Sequence, residues 1–158
     1  MDRDELLAAL RDHRLDAVLG IAESEWLDFK ASHYDLGNRW HTSELAKDVS
    51  ALANVSGGLI VVGVRTERPP DSDREQGAEL RLLPRNIVSE QRYRDTIKSH
   101  VYPSVLGLEV YSRRPDPVLD GGDVRGLEWR QCCGVPVRVH PDRVDTDADG
   151  YGWLTRCG

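Results

Sequence analysis

Glu23, Glu25 and Asp28 crowd three carboxylates into ESEWLDFK, residues 23–30, around Trp26-Leu27 and ahead of Phe29-Lys30. Acids at this density suit three different roles. Converged on one Mg²⁺ or Mn²⁺, two or three carboxylates orient a water and neutralise the charge that develops on a phosphodiester during cleavage. Arranged as a lip, they order basic side chains or an ion against a phosphate without cutting it. At a solvated strand edge they pair locally and do no chemistry. Glu23 and Asp28 are the candidate metal ligands of the segment, and Lys30 is its candidate phosphate contact, acting as a point charge. An ordinary exposed strand lysine is the plain alternative for Lys30.

Other residues invite smaller expectations. Residues 81–114 are net basic, with Arg81, Arg85, Arg92, Arg94, Lys98, Arg113 and Arg114 set against Glu90, Asp95 and Glu109. Arg92, Arg94 and Lys98 fall at i, i+2 and i+6, which spreads them over a helix flank as a modest phosphate-binding face. Asn54, Gly57 and Gly58 have the chemistry of a helix-ending turn, whose exposed amides can also meet a phosphate. That turn lacks the G-x-x-x-x-G-K-[ST] pattern of an ATP-binding loop. Cys132-Cys133 with His100 or His140 would offer soft ligands, but a structural zinc usually needs four well-placed ones, and zinc is not expected. His33, His41, Ser32 and Asp35 share one polar loop without a nucleophile-elbow sequence, so Ser-His-Asp catalysis is set aside.

The elements that must hold these residues are partly legible. Residues 3–21 carry apolar positions at helical spacing, as two short helices or one broken one. ESEWLDFK reads as a strand, with Trp26-Leu27 and Phe29 filling both faces, and residues 32–42 as a polar loop. SELAKDVSALAN (43–54) is the clearest helix, capped by Thr42 or Ser43, with Leu45, Val49 and Leu52 on its apolar stripe and Lys47 and Asp48 facing away. LIVVGV (59–64) is a continuous apolar run, the mark of a strand covered on both sides. Residues 65–78 form a polar loop, 89–101 a second amphipathic helix, and 105–111 and 135–140 strands.

At 158 residues the chain suits one domain with a real core. A net charge of −6 argues against a strong nonspecific polyanion binder, although a local basic face remains compatible with docking nucleic acid. No apolar run reaches the roughly 18 residues that cross a bilayer, so a cytoplasmic protein without membrane contacts is expected. The three cysteines, all in the last stretch of chain, are expected as reduced thiols. From Arg113 onward the composition turns to Gly, Pro, Arg and Asp, which suggests an atypical, truncated or frame-shifted tail over 113–158 behind a domain at 1–112.

Taken together, ESEWLDFK and ALANVSGGLIVVGV resemble the Schlafen-type AlbA-like domain family, associated with DNA binding, over roughly residues 5–112. That family shows an ExxxxEFK-like segment, a helix ending in an AFAN-x-x-GG-like turn, and a strand ending in Gly-Val. Glu23 and Asp28 keep the five-residue spacing of the first; Ala51-Leu52-Ala53-Asn54 with Gly57-Gly58 match the second, and Gly63-Val64 the third. The resemblance implies an α+β fold, a mixed sheet packed on two or three helices, and a link to nucleic acid. Eukaryotic Schlafens cut tRNA and rRNA with three carboxylates and a divalent metal; two correspond to Glu23 and Asp28. The third position is Thr66 here, with Glu67 one residue late, and a one-residue slip in a strand reverses the face. A companion cysteine of the family's zinc site is replaced by Tyr102.

The expected role is therefore a bacterial, regulatory nucleic-acid-binding protein of DNA or RNA, contacting phosphates through a local basic face. A metal-dependent endoribonuclease using Glu23, Asp28 and Glu67 is the alternative from a different class, and a protein-interaction module of a defence or regulatory system is the third. A homodimer is compatible with the sequence.

Overall fold

The computed structural model describes residues 1–84 and 87–113 and the backbone of Arg130–Val137. Its elements run α1 (Arg3–Arg11), a 3-10 turn (Leu15–Val18), β1 (Leu27–Lys30), α2 (Arg39–Ala53), β2 (Gly58–Val62), β3 (Val64–Glu67), β4 (Gln76–Leu80), β5 (Leu83–Pro84), α3 (Glu90–His100), β6 (Tyr111–Arg113) and β7 (Arg130–Val137). The fold is α+β, as expected. A five-stranded mixed sheet runs β1-β2-β7-β5 with β6 also on β7, and β3-β4 forms a separate two-stranded hairpin.

β2 explains the architecture. All five of its residues are buried, and alternate side chains serve opposite faces. Ile60 and Val62 join Leu45, Val49 and Leu52 of α2 and Tyr93 and Ile97 of α3 in one core. Leu59 and Val61 join Leu6, Leu7 and Leu10 of α1 and Leu27 and Phe29 of β1 in another. The unbroken apolar run is thus what a strand needs when helices cover both sides. It pairs parallel with β1 on one edge and antiparallel with β7 on the other, Gly58 opposite Val137.

Several boundaries depart from expectation. α2 starts at Arg39, because the Asn38 side chain accepts the Trp40 amide and caps the helix there. Its first turn is exposed and carries no apolar stripe, so it looked like loop. The LIVVGV run ends as a strand at Val62, since Gly63 takes φ 98° and turns the chain into a different sheet. The polar stretch 65–78 holds most of a hairpin, Arg65 to Glu67 pairing with Glu79 to Gln76 across a bulge. Its polarity reflects a position off the main sheet. Only the end of 105–111 is strand, as Gly107 at φ 73° interrupts it. ESEWLDFK does not fill both faces: Leu27 and Phe29 point into the same core and Trp26 packs against it.

The strand expected over 135–140 is found at Arg130–Val137, and residues 138–140 lie outside the described ones. So do Arg85, Arg114, His140 and Cys157, and the side chains of Cys132 and Cys133. No helix among the described residues is long and apolar enough to cross a membrane.

Candidate nucleic-acid interface

Residues 23–27 are a tight turn, Ser24 and Leu27 exchanging backbone hydrogen bonds, and it folds Glu23 back along the strand that follows. A Glu23 oxygen accepts the Phe29 amide at 2.9 Å. That amide points away from β2, so Glu23 closes the free edge of β1. Burial holds the Glu23 carboxyl above its usual range; the Phe29 bond opposes this, while Asp28 and Glu75 add to it. Glu25 is exposed.

On the opposite face of β1 from Leu27 and Phe29, Asp28 and Lys30 look toward α2. The Lys30 ammonium lies 3.1 Å from Asp28 Oδ2 and 3.3 Å from Asp48 Oδ2. The same Asp48 oxygen accepts the Tyr34 hydroxyl at 2.7 Å. The Tyr34 amide in turn donates to the Tyr93 hydroxyl oxygen at 3.0 Å, which ties α3 to the group. Burial raises the Asp28 carboxyl even though Lys30 pulls it down. Burial works against the charge on Lys30, but the Asp28 and Asp48 carboxylates outweigh it and raise its pKa. Burial and the bond to Asp48 push the Tyr34 hydroxyl far up, so it stays a donor. Asp28 Oδ2 is buried without a well-directed hydrogen bond, and its contact with the ammonium is coulombic.

Asp48 was expected to face away with Lys47. It is instead a central member of this cluster. The available signal was its place three residues after Leu45 and four before Leu52, in line with the apolar stripe. Tyr34 belongs with it, and nothing in the loop sequence marked it.

Thr66, at the third acidic position, donates to Glu75 at 2.5 Å, and the Glu75 carbonyl accepts the Glu23 amide at 2.8 Å. The hairpin therefore brings Glu75 beside Glu23, while Glu67 is exposed at the end of β3 opposite Gln76. Glu23, Asp28 and Glu67 do not converge as a donor set for Mg²⁺ or Mn²⁺. Among the described residues no three His, Cys, Asp or Glu side chains are placed to hold a metal ion.

Of the basic candidates, Arg92 and Lys98 are exposed and outside the ion pairs of the described residues. Arg94 turns inward, bonding the Val110 carbonyl and pairing with Glu90 at 3.4 Å; Glu90 in turn accepts the Ser112 amide at 2.6 Å. Asn54 is exposed, but Gly57 and Gly58 are buried. The Gly57 amide is taken by the Leu52 carbonyl at 3.0 Å, and a Cβ on Gly58 would lie 2.4 Å from the Trp26 carbonyl oxygen. Turn and packing geometry account for both glycines.

A different basic stripe emerges on α3. Arg92, Thr96 and His100 recur at i, i+4 and i+8 and so share one flank. Arg92 opens onto a small cavity with His33 and Leu36, and Thr96 and His100 onto a larger one with Leu36 and Arg39. Leu36 is common to the two, which sets them side by side in the groove where α3 faces the start of α2, with Asp35 also lining the smaller. Trp40 and Tyr102, 68% and 71% exposed, follow Arg39 and His100 closely in the chain.

An α+β domain with a β2 strand buried on both faces, an acidic turn at the edge of β1 and a basic groove beside α3 is the setting for comparison with known proteins. The Schlafen, AlbA_2 family model matches residues 23–128, and the chain belongs to that family. The match opens on Glu23 itself. Membership is consistent with a nucleic-acid-binding role. No curated protein and no solved structure matches the chain.

Proposed function

We propose that this protein binds nucleic acid, DNA or RNA, by its phosphates, along the groove between α3 and the start of α2. The observation that carries this reading is the alignment of Arg92 with Thr96 and His100 on one flank, facing Leu36 and Arg39. Guanidinium and hydroxyl donors spaced along a groove suit a chain of phosphates, and exposed Trp40 and Tyr102 offer faces on which bases can stack. Lys98 adds charge on the adjoining flank. Lys30 contributes less to this contact than its sequence position promised, because its charge is shared by Asp28 and Asp48.

The quartet of Asp28, Lys30, Asp48 and Tyr34 favours binding over cutting. Its two carboxylates already share the protein's own ammonium, which halves the negative charge they could offer a divalent cation.

The test is anisotropy with labelled single strands over a salt series. Arg92→Ala/Lys98→Ala should weaken binding several-fold and flatten the salt dependence by about one to two counterions. Unchanged affinity in that variant would sink the groove. Labelled tRNA incubated with Mn²⁺ checks the alternative: cleavage that disappears in Glu23→Gln/Asp28→Asn would make the protein an endoribonuclease.

A further inference from the structure

We infer that the groove takes a single unpaired strand and rejects duplex, its affinity coming from bases stacked on Trp40 and Tyr102 as well as from phosphates. This rests on the reading of the groove as the nucleic-acid contact and adds the class of strand it accepts. Charge is the first argument. Duplex DNA carries about one negative charge per 1.7 Å of its axis, and one strand of it about one per 3.4 Å. A protein that holds duplex by its backbone alone must bring many cations to it, since its affinity comes from the counterions they displace. This chain has a net charge of −6. The groove offers Arg92 in its smaller cavity, where Asp35 stands on the wall as well, and Arg39 in its larger one. Lys98 adds one exposed cation on the adjoining flank. So few cations hold few phosphates, and the acidic molecule repels the denser polyanion more strongly.

Apolar surface is the second argument. Leu36 lines both cavities, and Ile87, itself 41% exposed, lines the smaller. Phosphates leave such surface wet, whereas the faces of sugars and bases cover it. Trp40 and Tyr102 are the only Phe, Tyr or Trp side chains among the described residues that stand in solvent. Phe29, Tyr34, Tyr93 and Tyr111 are buried, and Trp26 is half-buried. Trp40 follows Arg39 on α2, and Tyr102 comes two residues after His100 at the end of α3. Arg39 and His100 both line the larger cavity, so each of its two walls supplies one ring beside it.

A strand that meets Arg92 and continues over Leu36 to Arg39 brings its bases to the part of the groove that both rings flank. Stacking there asks only for a free base face, which every unpaired base has. A duplex packs those faces against one another and presents its phosphates outside, so it meets the few cations alone. Sparse charge with exposed rings thus selects for the unpaired strand.

Anisotropy of the full chain with one labelled mixed-sequence oligonucleotide, alone and annealed to its complement, tests the inference. The single strand should bind at least roughly tenfold tighter than the duplex. Trp40→Ala and Tyr102→Ala should each weaken the single strand about five- to a hundredfold and leave duplex binding where it was. Both side chains are exposed, so the variants should keep the wild-type melt. Trp40→Phe, which retains a ring, should recover most of the affinity. The strand should also quench wild-type tryptophan fluorescence, and do so less in Trp40→Ala. Duplex bound as tightly as the single strand, or single-strand affinity that survives either alanine substitution, overturns the inference. If Arg92→Ala/Lys98→Ala then still weakens both forms of the probe, the groove stands as the phosphate contact and only its choice of strand falls.

Discussion

At the scale of residues, Lys30 decides the character of the acidic edge. Its ammonium reaches Asp28 and Asp48 together, and Tyr34 holds the shared Asp48 oxygen from the other side. Lys30→Met would leave two carboxylates facing each other. Because these side chains are about a third exposed or less, solvent screens part of the effect, and a loss of about 1–2 kcal/mol at neutral pH is expected. The sign of its pH dependence is fixed by Asp28. Burial already raises that carboxyl in the fold, and removing Lys30 removes the influence that lowers it. The folded variant then holds its proton to higher pH than the unfolded chain does. Its deficit should grow as pH rises from the ordinary carboxylate range toward neutrality and shrink on acidification. Thermal melts of the two proteins from pH 4 to 7 measure this, and a deficit that is constant or larger in acid would dismiss the quartet. Glu23, by contrast, read from sequence as a metal ligand, spends an oxygen on the Phe29 amide.

At the scale of elements, the sequence was most informative where one strand or helix explains its own pattern. The five buried residues of β2 and the stripe of α2 needed no distant partner to be recognised. The β3-β4 hairpin and the inward turn of Arg94 were hidden because each depends on a contact far along the chain, and the first turn of α2 because a local cap starts it without an apolar stripe. Asn38 caps a turn with no apolar face, Glu75 meets Glu23, and Arg94 meets the Val110 carbonyl. The Gly-Gly pair shows the same limit: chemistry that suits a phosphate turn serves close packing here. A methyl group on Gly58 would press on the backbone oxygen of Trp26 at 2.4 Å and on Leu52 at 2.9 Å. Gly58→Ala should therefore destabilise by about 2–4 kcal/mol, with a matching drop in the denaturation midpoint. Unaltered stability would mean that the junction of β1, α2 and β2 is looser than described.

At the scale of the whole molecule, β7 carries the strand expected near 135–140 into the centre of the sheet. Arg130–Val137 lies beside β2 and also pairs with β5 and β6. Ending the chain at residue 129 would leave the whole length of β2 unpaired on one edge, and β5 and β6 without the strand they join. Such a truncated protein should lose its cooperative melt and aggregate. A truncated chain that melts cooperatively at the full-length temperature would show that β7 is dispensable.

The pairing of β2 with β7 also has a consequence in time. During synthesis β2 emerges soon after β1 and α2, but its second neighbour arrives only when the ribosome has passed Val137. Until then the most apolar strand of the protein presents an open row of amides and carbonyls, and closing so long a loop is a slow, late step. The nascent chain thus has an interval in which a passing strand can occupy β7's place.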